Sequence, residues 1–197
     1  MIFNFNSKTE ITHSFDDNVF TKLTTVVEKS GSIGTINGTG YIILRKTWGN
    51  NNNTIQVYID GNTTAFYLMP TESGGVQDGY YRFYFQKSIR FAGSLSEHEY
   101  FYQTLLTETP VADKYVITQG SKTGDTYLTF TGKGKVLLSG GDFSSMVYFK
   151  VDGGSEKSIA AADTQGLELW FTKSIAFKAS GSGTSYPLYY ILYLEVE

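Results

Sequence analysis

The residues best suited to binding chemistry lie in one loop, Trp48-Gly-Asn-Asn-Asn-Asn53. An exposed indole ring can stack on the apolar face of a sugar, while neighbouring amides hydrogen-bond its hydroxyl groups. The loop therefore predicts a carbohydrate site formed by Trp48, Asn50, Asn51 and Asn52. The alternative is a polar loop whose tryptophan folds back onto the edge of its domain.

Residues that could catalyse a reaction are few and scattered. The two histidines, His13 and His98, lie in dissimilar contexts, and neither belongs to a pair with metal-ligand spacing. Glu97-His98-Glu99 is the densest titratable cluster, and we expect it at a solvated hairpin tip. Carboxylate pairs that cleave glycosides could be assembled from many Asp and Glu residues, but spacing singles out none. We therefore predict a protein that is not an enzyme, with no catalytic residue, metal ligand or cofactor.

The charge balance argues against two classes of partner. The chain has 16 Lys and Arg residues against 19 Asp and Glu residues, a net charge of -3, so it does not attract nucleic acid or an anionic membrane as a whole. No segment approaches the roughly 18 apolar residues that span a bilayer, and no secretory signal pattern is recognised at the start. We expect no nucleic-acid partner and no membrane insertion.

The scaffold that must position any site is repeated in the sequence. Phe85-Gln-Lys-Ser-Ile-Arg-Phe91 returns as Phe171-Thr-Lys-Ser-Ile-Ala-Phe177. Upstream, Ile55-Gln-Val-Tyr-Ile-Asp-Gly61 returns as Val147-Tyr-Phe-Lys-Val-Asp-Gly153. Length differences between the copies fall in Gly-, Asn- and Pro-rich segments, as expected of a retained scaffold with variable loops. The pattern predicts an internal duplication.

Secondary structure follows from apolar residues that recur at every second position, as in Ile55, Val57 and Ile59. This period is typical of strands with one buried face. The helical candidate over 156–164 is short, and we interpret it as an irregular strand or one loose turn. The first copy is predicted to hold seven strands, near residues 19–28, 40–46, 54–60, 64–69, 80–86, 88–93 and 99–107, and the second copy a similar set.

The repeated motifs have structural explanations. Asp60-Gly61 and Asp152-Gly153 are predicted hairpin tips, because Asp-Gly readily adopts the positive φ angles of tight turns. Strict alternation after Phe85 would bury Lys87, and the same holds for Lys173 in the second copy. Since an unpaired buried lysine is costly, we predict a bulge or corner where the chain switches sheets and both lysines reach solvent. A nucleophilic or phosphate-binding lysine is the alternative.

These patterns predict an all-β fold of two tandem antiparallel β-sandwiches of jelly-roll or immunoglobulin-like type. Module 1 is assigned to residues 19–109 and module 2 to 110–197, after an N-terminal arm of residues 1–18. Tyr84 and Trp170 occupy matching outward positions and could form a ligand platform, a contact between modules or a subunit interface. We prefer an interface, because aromatic residues are enriched in interface cores.

The order of motifs resembles a known group of proteins. Gly-x-Gly before an apolar strand, an alternating strand ending in Asp-Gly, then Phe-x-Lys-Ser-Ile-x-Phe and a closing aromatic strand resemble β-sandwich modules in tail, baseplate and fibre proteins of bacteriophages and prophages. The resemblance covers residues 20–197. It implies a virion protein without enzymatic activity that builds an assembly or touches the host surface.

The partners that this resemblance implies are other virion proteins, further copies of the same chain or a host-surface glycan. Carbohydrate-binding modules of secreted bacterial enzymes carry similar patterns. A carbohydrate-binding module or a bacterial adhesin at the cell surface is therefore the alternative. An enzyme of unknown type is the third hypothesis, motivated by scattered carboxylates and tyrosines.

Overall fold

A computed structural model describes residues 22–29, 34–48, 55–68, 79–93, 99–107, 113–140, 146–164, 166–180 and 187–196. The predicted N-terminal arm, residues 1–18, lies outside these ranges, as do His13 and His98. The strands of module 1 are β1 (Lys22–Lys29), β2 (Thr35–Asn37), β3 (Thr39–Trp48), β4 (Ile55–Ile59), β5 (Phe66–Leu68), β6 (Gly79–Phe85), β7 (Ser88–Gly93) and β8 (Glu99–Thr107). Those of module 2 are β9 (Tyr115–Lys122), β10 (Leu128–Thr131), β11 (Gly134–Gly140), β12 (Met146–Val151), β13 (Lys157–Ala160), β14 (Leu167–Phe171), β15 (Ser174–Ala179) and β16 (Leu188–Glu195).

The all-β prediction is confirmed. Each of the seven strands predicted for module 1 has a counterpart, and the additional strand is β2. The segment 156–164 contains both of the predicted alternatives, because strand β13 is followed by a single 3₁₀ turn over Ala161–Thr164. No α-helix occurs in the described part of the chain.

The described strands form four antiparallel sheets of four strands each. Sheet I has the order β1-β8-β3-β6 and sheet II the order β2-β7-β4-β5. Sheet III, β9-β16-β11-β14, and sheet IV, β10-β15-β12-β13, repeat these two orders with the corresponding strands of module 2. Apolar side chains from sheets I and II share one core, and those from sheets III and IV share a second, so each half is sandwich-like.

The register agrees between the halves as well. Gly40 pairs with Phe85 between β3 and β6, and Gly134 pairs with Phe171 between β11 and β14. The prediction of an internal duplication is supported by this agreement and remains a prediction.

The chain changes sheets at the repeated Lys-Ser-Ile motif. It passes from sheet I to sheet II between Phe85 and Ser88, and the corresponding step in module 2 leads from sheet III to sheet IV. Lys87 and Lys173 are exposed, whereas Ile89 and Ile175 are fully buried. The predicted corner is therefore confirmed in both modules.

Strand β11 of sheet III is buried on both faces. Every residue of β11 is buried, with Val136 in the core of module 2 and the adjacent Leu137 in the core of module 1. Ile191 and Tyr193 of β16 also belong to the core of module 1. Because full burial of one such aliphatic side chain contributes about 1.5–3 kcal/mol, these contacts hold the modules firmly together. The two halves meet through a shared core rather than a flexible joint.

Candidate functional site

The carboxylate of Asp60 fastens the corner of module 1. Asp60 has a φ angle of 52°, which confirms the positive φ predicted for the Asp-Gly tip. Its oxygens accept hydrogen bonds from the backbone N–H groups of Gln86 at 3.0 Å, Lys87 at 2.7 Å and Ser88 at 3.0 Å. The tip after β4 therefore holds the turn between β6 and β7.

Asp152 does the same in module 2, with a φ angle of 54°. It accepts hydrogen bonds from the backbone N–H groups of Thr172 at 2.9 Å, Lys173 at 2.7 Å and Ser174 at 3.1 Å. Backbone donation by Ser174 and Lys173, with the Thr172 hydroxyl, lowers the pKa of Asp152 to about 2. The two repeated motifs are thus one structural unit, which sequence reasoning did not predict, although their joint recurrence was a usable signal.

Two buried glutamines connect the modules. Gln86 accepts from the backbone N–H of Lys114 at 2.6 Å and of Tyr115 at 2.7 Å, and its amide nitrogen donates to the Tyr115 carbonyl at 2.9 Å. Gln119 accepts from the N–H of Ile59 at 2.7 Å. Its amide nitrogen donates to the carbonyl of Val57, which also lies in β4, at 2.9 Å. These paired amides fix the orientation of β9 against module 1.

Tyr84 does not point to solvent, so the predicted outward position is wrong in this respect. Its side chain is 2% exposed, and its ring lies 4.8 Å from that of Tyr41 and 5.4 Å from that of Tyr115. The alternation along β6 is present, but module 2 covers the second face of the strand. Tyr84 therefore contributes to the contact between modules, and its role in a subunit interface stays a prediction.

Trp170 matches Tyr84 in register but lies in a different environment. It is 57% exposed, and the Nζ atom of Lys135 lies 5.0 Å from its ring centroid. Lys135 is 2% exposed and pairs with Glu168 at 3.1 Å. Burial lowers the pKa of Lys135, and Glu168 opposes this change. Sequence reasoning did not single out Lys135, although a lysine inside the apolar run Lys-Val-Leu-Leu was a usable signal.

The predicted carbohydrate loop is only partly described. Trp48 is the last residue of β3 and pairs with Glu99 of β8. Asn50, Asn51 and Asn52 lie outside the described residues, so the loop stays a prediction. Among the described residues no group of three or more metal-ligating side chains is found, and no helix is long and apolar enough to cross a membrane.

A groove opens on the outer face of sheet II, which sequence reasoning missed. Its volume is about 390 Å³, within the range of small-ligand sites of about 300–1,000 Å³. The guanidinium carbon of Arg90 stands 3.8 Å from the ring centroid of Tyr58, whose hydroxyl donates to Gln56 Oε1 at 2.7 Å. We call it the Tyr58 groove, and it is lined by Thr35, Tyr58, Gly61, Asn62, Thr63, Ser88 and Arg90.

The corresponding face of sheet IV carries a different set of side chains. The Nζ atoms of Lys150 and Lys178 lie 4.7 and 4.8 Å from the ring centroid of Tyr127. The Tyr127 hydroxyl donates to Glu156, which also lies 3.8 Å from Lys178 Nζ. In this Tyr127 cluster, formed by these four residues, the cations are already engaged with an aromatic ring and a carboxylate.

No family model matches the chain, and no curated protein matches it. Among solved structures, HutD from Pseudomonas fluorescens SBW25 is similar over 89% of this chain and 79% of its own, with 11% identity and a TM-score of 0.28. PNGF-II is similar over 100% of this chain and 64% of its own, with 9% identity and a TM-score of 0.30. A chain of Sulfolobus Turreted Icosahedral Virus is similar over 95% and 99%, with 15% identity and a TM-score of 0.28. Likenesses this distant identify no function.

Proposed function

We propose that the protein is a non-enzymatic structural or host-adhesion component of a bacteriophage-type particle, which assembles through the surfaces of its sandwiches. The observation that supports this role is the burial of β11 on both faces, with Leu137 in one core and Val136 in the other. A subunit of a tail or fibre must hold a fixed shape while it transmits contacts to its neighbours. A shared core between two sandwiches provides that fixed shape.

The proposed assembly contact is centred on Trp170. This residue lies on β14, an edge strand of sheet III, and its side chain is exposed. The salt bridge to Glu168 holds Lys135 beside the Trp170 ring. Edge strands present unpaired backbone groups to other chains, and exposed tryptophan is typical of the energetic centre of interfaces. A neighbouring subunit that covers Trp170 would bury both its ring and the unpaired backbone groups of β14.

Light scattering of the full chain over a range of concentrations tests self-assembly. We expect a mass above that of one chain for the native protein and a shift toward the monomer for Trp170→Ser. Val116→Ser is the matched control, because Val116 is 58% exposed on the other edge strand of the same sheet. A monomer at all concentrations, or equal effects of both variants, contradicts the assembly contact.

Mass spectrometry of particles purified from a lysate of the host that carries the gene tests the virion assignment itself. We expect peptides of this chain in amounts comparable to those of tail or fibre proteins. Their absence from the particles contradicts the proposal as a whole.

Carbohydrate binding is the second candidate, and the Tyr58 groove favours it. An aromatic ring, an arginine and several hydroxyl and amide groups converge there, which is the chemistry that sugar recognition requires. A glycan array with the native protein, Tyr58→Ala and Trp48→Ala separates the groove from the predicted Trp48 loop. Loss of signal in Tyr58→Ala assigns the groove, loss in Trp48→Ala assigns the loop, and a silent array contradicts carbohydrate binding.

A further inference from the structure

The Tyr58 groove combines side chains of three chemical kinds. Thr35, Asn62, Thr63 and Ser88 offer neutral hydroxyl and amide groups, and Gly61 contributes backbone at the rim. The remaining lining residues are one aromatic ring and one cation, and none of the lining residues is acidic. A complementary ligand therefore carries several hydroxyl groups and a negative charge.

Arg90 is prepared for a planar anion. Its guanidinium carbon lies over the Tyr58 ring, 3.8 Å from the ring centroid, and the side chain is exposed. A guanidinium held over an aromatic ring can still offer N–H groups to a bidentate acceptor such as a carboxylate. Among the residues that the structure describes, Arg90 has no ion-pair partner.

The acidic residue next to the groove, Asp60, forms no salt bridge with this cation. Asp60 precedes Gly61, but its two oxygens accept hydrogen bonds from the backbone N–H groups of Gln86, Lys87 and Ser88. Its charge is therefore engaged in holding the corner. With respect to the described residues, the arginine therefore remains available to the carboxylate of a ligand.

The side-chain amide of Asn62, one of the neutral groups that line the groove, is held in a fixed orientation. Its amide nitrogen donates to the carbonyls of Ile59 at 2.9 Å and Ile117 at 3.4 Å, so these bonds hold the side chain in place. Within the described part of the chain, its Oδ1 atom accepts no hydrogen bond. This oxygen is therefore free to accept from a ligand hydroxyl.

Module 2 does not repeat the arrangement. By register, Lys150 takes the position of Tyr58 and Ala176 that of Arg90, because Tyr58 pairs with Arg90 and Lys150 with Ala176. The stacked arginine thus belongs to module 1 alone. The residues that the two modules share serve the scaffold. Residues that differ on an exposed sheet face can therefore bind a ligand that only one module recognises.

We propose that the Tyr58 groove binds an acidic saccharide, with the sugar carboxylate paired to Arg90 and the sugar hydroxyls bonded to the neutral side chains. This inference rests on the carbohydrate-binding candidate above and names the class of sugar. The ring of Tyr58 serves as the support of the arginine and as an apolar surface beside the sugar.

The test is a glycan array containing uronic-acid and sialic-acid saccharides beside their neutral counterparts, followed by titration of the saccharides that bind. We expect acidic saccharides to bind, and Arg90→Gln to weaken them about tenfold to a hundredfold, as for a lost hydrogen bond to a charged group. Arg90→Lys should restore part of the binding. Salt should weaken the binding, because dissolved ions screen the attraction between exposed charges, with a Debye length of about 10 Å at 0.1 M.

Lys178→Gln is the matched control, since it removes a cation from the corresponding face of sheet IV in module 2. Unchanged thermal unfolding verifies that each variant is folded. Neutral saccharides bound as tightly as acidic ones, with Arg90→Gln unchanged, would overturn the acidic class and leave carbohydrate binding standing. Loss of binding in Lys178→Gln but not in Arg90→Gln would move the site to the Tyr127 cluster and also overturn the proposal. An array with no signal would contradict both the proposal and the candidate function.

Discussion

Substitution of Gln119 by alanine should weaken the whole protein rather than one strand. The side-chain amide of Gln119 bonds to the backbone of β4 at Ile59 and Val57. Strand β5 pairs with β4 only from Ile55 to Val57, so beyond that point the glutamine takes the place of a neighbouring strand. Its removal leaves backbone groups at the module junction without partners.

The magnitude follows from counting those groups. Gln119→Ala orphans one buried N–H and one buried carbonyl, each at a cost of about 1–3 kcal/mol, so the free energy of unfolding should fall by about 2–6 kcal/mol. Domains are stable by only about 5–15 kcal/mol, so this is a large fraction. With a urea m-value of about 3 kcal/mol per M, the midpoint should fall by about 0.7–2 M.

Urea unfolding followed by circular dichroism measures this change. Because the modules share a core, we expect one transition in the native protein. Gln119→Leu, which keeps most of the side-chain volume, separates lost hydrogen bonds from lost packing and should be nearly as damaging as alanine. Thr118→Ala is the control on the same strand, since Thr118 is exposed and its loss should cost less than about 0.5 kcal/mol.

The reasoning is refuted if Gln119→Ala and Thr118→Ala unfold at the same urea concentration. A native protein that unfolds in two well-separated steps would equally contradict the shared core. Either result would mean that the contacts between β9 and β4 do not stabilise the junction between the two modules.

Two further predictions concern the corner and the core. Asp152 has its pKa lowered from 3.8 to about 2, so its stabilising charge is fully present above pH 3.8 and is lost as pH falls through 2. The thermal stability advantage of the native protein over Asp152→Asn should therefore shrink over that interval. Gly134→Ala places a methyl group on the backbone carbonyl of Tyr193 and should cost at least about 3 kcal/mol in urea unfolding. Gly124→Ala, in open space at a φ angle of 76°, should cost about 1–2 kcal/mol, and equal losses would refute the packing argument.

The strands and corners could be predicted from the sequence because their signals are local. Alternation in Ile55, Val57 and Ile59 reports one buried face, and all three side chains are fully buried. The conflict between burial at every second position after Phe85 and the charge of Lys87 predicted the corner. Strand β2 was missed because the three residues Thr-Ile-Asn are too few to show a period.

The remaining features depend on which elements lie beside one another. Alternation identifies the two faces of β6 but cannot say that module 2 covers the face of Tyr84. Tyr58 and Arg90 are brought together by the pairing of β4 with β7, and no local pattern specifies that pairing. The same holds for Gln119, whose partners are 60 and 62 positions away in the chain.

The core of module 1 depends on residues of module 2, whereas the core of module 2 contains no residue of module 1 among those described. The core of module 2 is made of its own residues, such as Val136 and Phe177, while that of module 1 also needs Leu137, Ile191 and Tyr193. During translation the first half leaves the ribosome long before Tyr193 is made. We therefore expect the later half to become native first and to serve as the template onto which the earlier half condenses. An isolated residue 19–109 fragment should then fail to fold and should aggregate, while the 110–197 fragment keeps its own core although Leu137, Ile191 and Tyr193 become exposed.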